Sequence, residues 1–517
     1  MANKFFFKIE DYLLSVLSAC LLIFAFPKTD VWILAWIGLV PLFLALDGKI
    51  PKKAFFIGFL HGLVFFSSTM FWLINVDPLV AYFGYPLIVI VLSLYLGFFG
   101  LGYSYFYRFH PTLKLILIPS LWVGLEFLRA HLFSGFSWAS LCLSQYKNLV
   151  MIQIADLTGM FGVSFIIVVC NLAIKDLIKT KAIFNSEKFT FEIVINCIIG
   201  AALVLGTGAY GLYSLGIFQK GENLNVAVIQ ANTPQELKWD KVSWPTIMLD
   251  YTLLTQDAVV LDPELIIWPE TSFPGMIGDE GSRVIMGQLK DTIKDAQIPF
   301  LIGSIVKKEE DKYYNAALLF SKDGEILKQY SKHHLVPFGE YVPFRSVLPF
   351  IDQIVPIGDF SSGTEYTLFP SYYDGQTKKP SGLFAVLICF EDSVPGLVRK
   401  FVNEGAQFLV NITNDAWFKD TKAPFMHVQS SVFRAIENRK YVVRAANTGV
   451  SCFINDAGKI LNSVHDKNGK ETFISGVTVT RVRLNSTKTF YTRYGDVFSF
   501  ACFGLMSIFI FKRFAKK

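Results

Sequence analysis

The segment GLFAVLICFED, Gly382–Asp392, runs apolar and partly β-branched until it meets a thiol, Cys389, with a carboxylate two residues beyond at Glu391. A buried structural cysteine is the commoner use of such a position. Two other polar residues stand in similar places. Glu270 follows the apolar run LIIWP, and Lys332 lies within QYSKHHLVPFGEYVPF. Each has an ordinary reading: Glu270 as a cap on the turn-rich ETSFPG, Lys332 as a surface lysine after a hairpin, Cys389 as packing. Together they form a chemical set. A thiol with a pKa of about 8.5 is mostly unreactive at neutral pH. A carboxylate whose pKa is raised by burial can take its proton. An ammonium lowers the thiol's pKa and stabilises the oxyanion that forms on attack. Nucleophile, base and oxyanion support are then available without histidine or metal.

Such residues need a scaffold. Short β-type runs recur at 225–232, 265–271, 300–306, 315–321, 385–391, 408–415, 442–447 and 451–458, with helical stretches such as 283–296 and 426–440 between them. Apolar strands alternating with helices predict a layered α/β core. Glu270, Lys332 and Cys389 each fall at or just beyond a strand. Alternation along the strand predicts residues 389 and 391 on one side, with Phe390 pointing away into packing. The segment 357–382, rich in Gly, Ser and aromatic residues, reads as a long loop of the kind that serves as a lid.

The remainder of the chain is of another kind. Of 517 residues, 52% are hydrophobic and 15% aromatic, and only 17% are charged; the mean hydropathy is +0.43. A soluble domain carries roughly 25% charge, so the composition indicates a membrane protein. The net charge of +6 is spread along the chain and gives no nucleic-acid signal. Seven cysteines at irregular spacing imply no disulfide framework, and seven histidines without metal-binding spacing predict no metal site.

A bilayer core of about 30 Å takes roughly 20 apolar residues per helix. Seven candidate spans lie near 10–27, 31–46, 54–74, 85–107, 113–130, 158–174 and 191–214, and an eighth near 495–511. Lysine and arginine collect at Lys4 and Lys8, in the even-numbered loops (Lys49, Lys52, Lys53; Arg108, Lys114; Lys175, Lys179, Lys181, Lys188) and in the tail (Lys512, Arg513, Lys516, Lys517). The positive-inside rule then puts both termini in the cytoplasm and the large polar segment outside. LSAC at 17–20 resembles a lipoprotein cleavage site, but the apolar run continues past Cys20, which favours an uncleaved helix. In the fifth span Glu126 and Arg129 share one face; they face a cavity, pair with each other, or snorkel. The following FSGFSWASLCLSQ reads as an interfacial segment.

The ordered motifs WPET, YSKHHLVPFGE and CFED resemble the Glu-Lys-Cys triad of the nitrilase, or carbon–nitrogen hydrolase, superfamily, over about 223–483. Seven spans, an outer domain of this type and one closing span resemble more narrowly the apolipoprotein N-acyltransferases. QANTPQELKW, HLVPFGEYVPF, TNDAWF, RAIENRKYVVRAANTGVS and LEFLRAHLFSGFSW carry that likeness over nearly the whole chain. The resemblance implies a polytopic α-helical membrane bundle of about eight spans with an extracytoplasmic nitrilase-like α/β domain, an αββα sandwich. The expected divisions are 1–215 for seven helices, 222–485 for the catalytic domain and 490–517 for the eighth helix and basic tail.

It further implies Glu270 as general base, Lys332 as catalytic lysine and Cys389 as nucleophile, supported by Glu340 and Glu391, with no cofactor and no metal. Trp239 matches a tryptophan at the lipid entrance, and Phe390, Phe418 and Phe273 are candidates to line it. The expected substrates are a membrane phospholipid as acyl donor and the diacylglyceryl-cysteine of an apolipoprotein as acceptor, with the protein in a bacterial inner membrane and its catalytic domain in the periplasm. Two departures stand out: Phe390 where the family commonly has tyrosine, and Lys419 where glycine is common. The residues leave two alternatives open: a tethered amidase using the same triad with water, and a non-catalytic scaffold or receptor. The bundle argues against the first and the intact triad against the second. Few charges lie within the spans, which disfavours a channel or transporter.

Overall fold

A computed structural model describes residues 9–78, 80–182, 187–217, 221–309, 312–337, 339–341, 360–371 and 382–514; side chains at 180–182, 187–190, 309 and 512–514 are not described. Lys4, Lys8, Lys516, Lys517, the side chains of Lys181, Lys188, Lys512 and Arg513, and half of the 357–382 loop (357–359 and 372–381) lie outside these residues. The chain divides into two compact units, Met1–Phe218 with Tyr494–Lys517, and Gln219–Arg493.

The first unit is helical, and helices occupy each of the eight apolar segments. Among the described residues four helices, Val80–Phe106, Pro111–His131, Phe161–Lys179 and Phe191–Leu215, are long and apolar enough to cross a bilayer. The others fall short for local reasons. Ile9–Phe24 has 16 residues, roughly 24 Å at about 1.5 Å per residue. The second segment breaks at Leu39, between Ala35–Gly38 and Val40–Leu46, where Pro41 enters the next first turn. Pro51–Thr69 carries Lys52, Lys53 and His61.

Two glycines explain the tightest helix pair. GFLHG places Gly58 and Gly62 one turn apart, facing the helix Tyr85–Phe106. A Cβ at Gly62 would lie 2.7 Å from the Cα of Ser93, and one at Gly58 would strike the Leu96 carbonyl. Lipid supplies no hydrophobic drive between helices, so this close backbone approach is what holds them. Basic residues of the even-numbered loops gather at one end. Asp11 pairs with Lys49 at 2.9 Å and Lys53 at 2.7 Å, Asp47 with Lys175 at 3.6 Å and closely with Lys179. The opposite end of the first helix leads to Asp30, which pairs with Lys147 at 2.7 Å.

The second unit holds two sheets. In the first, β13 (Gly476–Arg483), β1 (Asn223–Gln230), β2 (Leu265–Ile267), β4 (Phe300–Glu309), β5 (Lys312–Phe320) and β6 (Ile326–Ser331) lie in that order, and β3 (Met276–Ile277) also pairs with β4. The second orders β12 (Ile460–Ser463), β11 (Cys452–Ile454), β10 (Tyr441–Ala446), β9 (Phe408–Thr413), β8 (Leu383–Ile388) and β7 (Leu368–Pro370). Each has three neighbouring parallel strands, β1-β2-β4 and β8-β9-β10, flanked by antiparallel ones. Sheet faces sheet through β1 with β10 and β5 with β8. Helices Trp244–Val259 and Arg283–Ala296 cover the first sheet around Trp268, Tyr251 and Phe300. Pro395–Glu404 and Ala423–Asn438 cover the second. The result is an αββα sandwich. Its parallel strands are buried on both faces, which is why they read as unbroken apolar runs.

Candidate active site

Glu270, Lys332 and Cys389 follow β2, β6 and β8 respectively, each just beyond the strand's carboxyl end. The strands deliver them to one place. Lys332 Nζ lies 3.8 Å from Glu270 Oε1 and 2.9 Å from Glu340 Oε2. Asn315, on β5, bridges the two acids: its Nδ2 donates to Glu270 Oε1 at 2.7 Å and to Glu340 Oε1 at 2.9 Å. Val336 N–H donates to Glu340 Oε2 at 2.8 Å. Lys332 is 1% exposed and Glu270 6%, so these charges act through little solvent.

The electrostatics follow. Burial raises the Glu270 carboxyl above its usual range and Glu340 adds to this, while Lys332 and Asn315 oppose it. Burial disfavours the Lys332 ammonium, but Glu340, Cys389 and Glu270 outweigh it and hold the lysine charged. The Cys389 thiol is pushed well up, by burial first and then by Glu270, against Lys332. The resting state is therefore a neutral thiol beside a carboxylate with heightened proton affinity and a fixed ammonium. That arrangement transfers the thiol proton as attack occurs, without first storing a thiolate.

Glu391 is fully buried. Its Oε1 accepts from Tyr330 Oη at 2.9 Å and from the backbone N–H of His333 at 2.8 Å and His334 at 3.1 Å; its Oε2 accepts from Ile388 N–H at 2.8 Å. One carboxylate thus pins the lysine segment to the cysteine turn. Burial raises it to about 7, opposed by the Ile388 N–H.

The expected strand alternation at 389–391 is overturned. β8 ends at Ile388, and Cys389–Ser393 form a tight helical turn. The bond from Ile388 N–H to the Glu391 side chain competes with continuation of the ladder. Cys389 itself has φ +54°, a left-handed backbone that is costly for a residue with a Cβ and is found where a scaffold over-determines it. Phe390 is accordingly not turned into packing; it is half-buried, with its ring 6.1 Å from that of His334 at 26°.

Trp239 is 51% exposed at the end of the turn Gln235–Trp239, and Phe418, half-buried, ends the turn Asp415–Phe418. Asn414 Nδ2 donates to Gln235 Oε1 at 2.6 Å and ties the two turns together. Phe273 departs from expectation: at 2% exposure it belongs to the core under the first sheet.

Sequence reasoning passed over Asn315 and Lys238. Lys238 is 4% exposed. Its Nζ donates to Thr271 Oγ1 at 3.1 Å and to the Glu270 carbonyl at 3.5 Å. Burial lowers its ammonium to about 7, against the pull of Glu270. A lysine between Leu237 and Trp239 carries no signal of its own in one sequence. In the helical unit, Glu126 and Arg129 prove buried rather than snorkelling. Arg129 donates to Trp138 O at 3.0 Å and Ser140 Oγ at 2.8 Å, and Glu126 Oε1 accepts from Leu141 N–H at 2.6 Å. They hold the segment after their own helix.

The family described as apolipoprotein N-acyltransferase N-terminal domain matches residues 18–173, and carbon-nitrogen hydrolase matches 225–488. An apolipoprotein N-acyltransferase of Geobacter metallireducens is 37% identical over 504 residues, 95% of this chain and 93% of that relative. One from Photobacterium profundum is 28% identical, covering 90% of this chain and 88% of its own. Among solved structures, an amidase from Nesterenkonia sp. is 16% identical, with a TM-score of 0.38 over 52% of this chain and 94% of the amidase. With similarity at this level running through both the helical and the layered unit, the chain belongs to the apolipoprotein N-acyltransferase family.

Proposed function

We propose that this protein moves a fatty acyl chain from a membrane phospholipid, through a thioester on Cys389, to the free α-amino group of an apolipoprotein's diacylglyceryl-cysteine. The observation that carries the reading is the buried pair Glu270 and Lys332, whose charges act on the Cys389 thiol while Glu340 pairs with Lys332, in a chain of this family.

In the first half-reaction Cys389 Sγ attacks the ester carbonyl and Glu270 takes the thiol proton. Lys332 stands by the tetrahedral oxyanion. The C–O bond breaks, Glu270 returns the proton to the leaving lysophospholipid oxygen, and a thioester remains. In the second, the amine attacks the thioester, Glu270 takes a proton from nitrogen, the C–S bond breaks, and the thiol is reprotonated. Dividing one acyl transfer into two gives an amine a reactive acyl donor.

The helices hold the enzyme where both lipid-anchored substrates reside. The catalytic domain, 222–485, faces the periplasm from a bacterial inner membrane, between seven helices and an eighth, with both termini cytoplasmic; the lysine and arginine distribution supports this orientation. Trp239 and Phe418 flank the lipid entrance, and Phe390 contacts the acyl chain.

The test is discharge of the acylated enzyme. Protein loaded from an acyl-labelled phospholipid is given a diacylglyceryl-cysteine peptide with a free amine, or the same peptide N-acetylated. Label is expected to pass to the first and not to the second. Release as free fatty acid at one rate with either peptide would make water the acceptor and contradict the reading.

A further inference from the structure

Beneath the Cys389 turn lies a buried ionic cluster that the acyl-transfer scheme leaves unused. Asp392 comes from that turn, Asp415 from the turn after β9, His427 from the helix Ala423–Asn438 and Arg444 from β10; none is more than 1% exposed. Arg444 Nη1 lies 3.2 Å from Asp392 Oδ2, and its Nη2 3.2 Å from Asp415 Oδ2. His427 sits between the same carboxylates, Nδ1 3.0 Å from Asp415 Oδ1 and Nε2 3.2 Å from Asp392 Oδ1. Nε2 is also 3.3 Å from the carbonyl oxygen of Cys389. Asn411 Nδ2 donates to that carbonyl at 3.0 Å, while Asn411 Oδ1 accepts from Arg444 at 2.7 Å.

Each of these contacts offers the imidazole nitrogens an acceptor. A neutral ring has one bare nitrogen, and in either tautomer that lone pair would meet a carboxylate oxygen. Only the imidazolium supplies a proton to both. Charge balance agrees, since two carboxylates and two cations sum to zero where an unpaired charge would be costly. Burial and Arg444 oppose the charge on His427, but Asp392 and Asp415 outweigh them and raise its proton affinity. The same cations hold both aspartates below the usual carboxyl range against burial. Around these groups, Ser431 donates to Asp392 and Thr413 to Asp415. On the helix of His427, Arg434 and Glu437 neutralise each other at 2.9 Å. The thiols of Cys389 and Cys452 also face the cluster, through Asp415 and Arg444 respectively, and Glu391 adjoins Asp392 in the chain.

The Cys389 carbonyl is thus gripped by two side chains at a residue whose φ is +54°. We propose that His427, as an imidazolium, is a positioning residue for the nucleophile: with Asn411 it holds the Cys389 carbonyl and so keeps the backbone that aims the sulfur. This rests on Cys389 being the nucleophile. A small misdirection of a reacting atom costs on the order of a hundredfold in rate, so a grip on this peptide is a grip on the reaction. The sign with pH is set: the grip is complete while His427 is protonated and is lost as pH rises through its elevated value.

The test follows acylation of Cys389 by phospholipid against pH in purified full-length protein, with thermal unfolding alongside. The wild type is expected to lose rate at high pH. His427→Gln should acylate at least about tenfold more slowly and lack that alkaline fall. Asp392→Asn keeps the ring but removes one counter-charge, so the alkaline fall should move down by about one pH unit, while the midpoint for iodoacetamide alkylation, which reports the thiol, stays in place. A merely structural role would lower the melting temperature without moving the fall. Wild-type rate in His427→Gln, or an unmoved fall in Asp392→Asn, overturns the inference while leaving Cys389 as nucleophile. A wild-type rate that holds at high pH overturns it with no variant needed, and a wild type that forms no adduct overturns both.

Discussion

Replacing Glu270 by glutamine is expected to slow acylation of Cys389 by about a thousandfold, within the range for loss of a positioned general base. The fold should survive, because a glutamine oxygen can still accept from Asn315 Nδ2, which now donates to Glu270 at 2.7 Å. Two signs separate loss of a base from general damage. Glu270 is the largest charge raising the Cys389 thiol, so Glu270→Gln should ionise that thiol at lower pH, read by iodoacetamide alkylation, even as acylation collapses. In the wild type, acylation should fail as pH drops through the Glu270 value, which burial holds above the ordinary carboxyl value of about 4.3. That acid limb should vanish in the variant. Acylation within a few-fold of wild type would remove Glu270 from the mechanism.

Lys332→Met is expected to cost about 10²–10³-fold, the usual loss when one group stabilising an oxyanion is removed. Here three effects act in one direction. The oxyanion loses its cation. Glu270 loses its chief opposing charge, so its value climbs and the acid limb moves to higher pH. The thiol loses the ammonium that pulls it down. Glu270 and Glu340 would also be left facing each other through Asn315 with no cation. A buried pair broken on one side costs about 3–5 kcal/mol, and proton uptake by one acid relieves part of it. Melting temperature should therefore fall at neutral pH and partly recover in acid. Arginine should not rescue, since its planar fork does not fit a point charge held 2.9 Å from one carboxylate and 3.8 Å from another. An acid limb left in place by Lys332→Met would contradict the coupling.

The sequence carried the parts of the fold that repeat simple patterns. The buried parallel strands β1, β2, β4, β8, β9 and β10 announce themselves as apolar runs. Edge strands do not: β6 is ILKQYS, half polar, and β12 is ILNS, largely exposed. β13, GVTVTRVR, has the alternation of a strand and is absent from the sequence reading, although it pairs with β1 along its whole length. Glu270 and Cys389 were legible because each follows an apolar run, whereas Lys332, after the half-polar β6, was legible only through the motif YSKHHLVPFGE. Their partners were not. Asn315, Lys238 and His427 reach the site from β5, a turn and a helix far away in the chain, and a single sequence does not show which buried polar groups meet. The helix Ala423–Asn438 illustrates this: its polar residues His427, Ser430, Ser431, Arg434 and Glu437 are all buried, so polarity marks a network rather than a solvent face. The turn at Cys389 was misread for a related reason. Its left-handed backbone is imposed by Asn411, His427 and Glu391, contacts that strand periodicity does not encode.

The most direct measurement is the mass of the Cys389 peptide after the purified protein meets phospholipid with no acceptor, with digestion and analysis kept acidic to preserve a thioester. The account predicts a fatty-acyl adduct on Cys389, absent from Cys389→Ser and removed by a diacylglyceryl-cysteine peptide. An unmodified Cys389 peptide, with ammonia released from small amides instead, would contradict it.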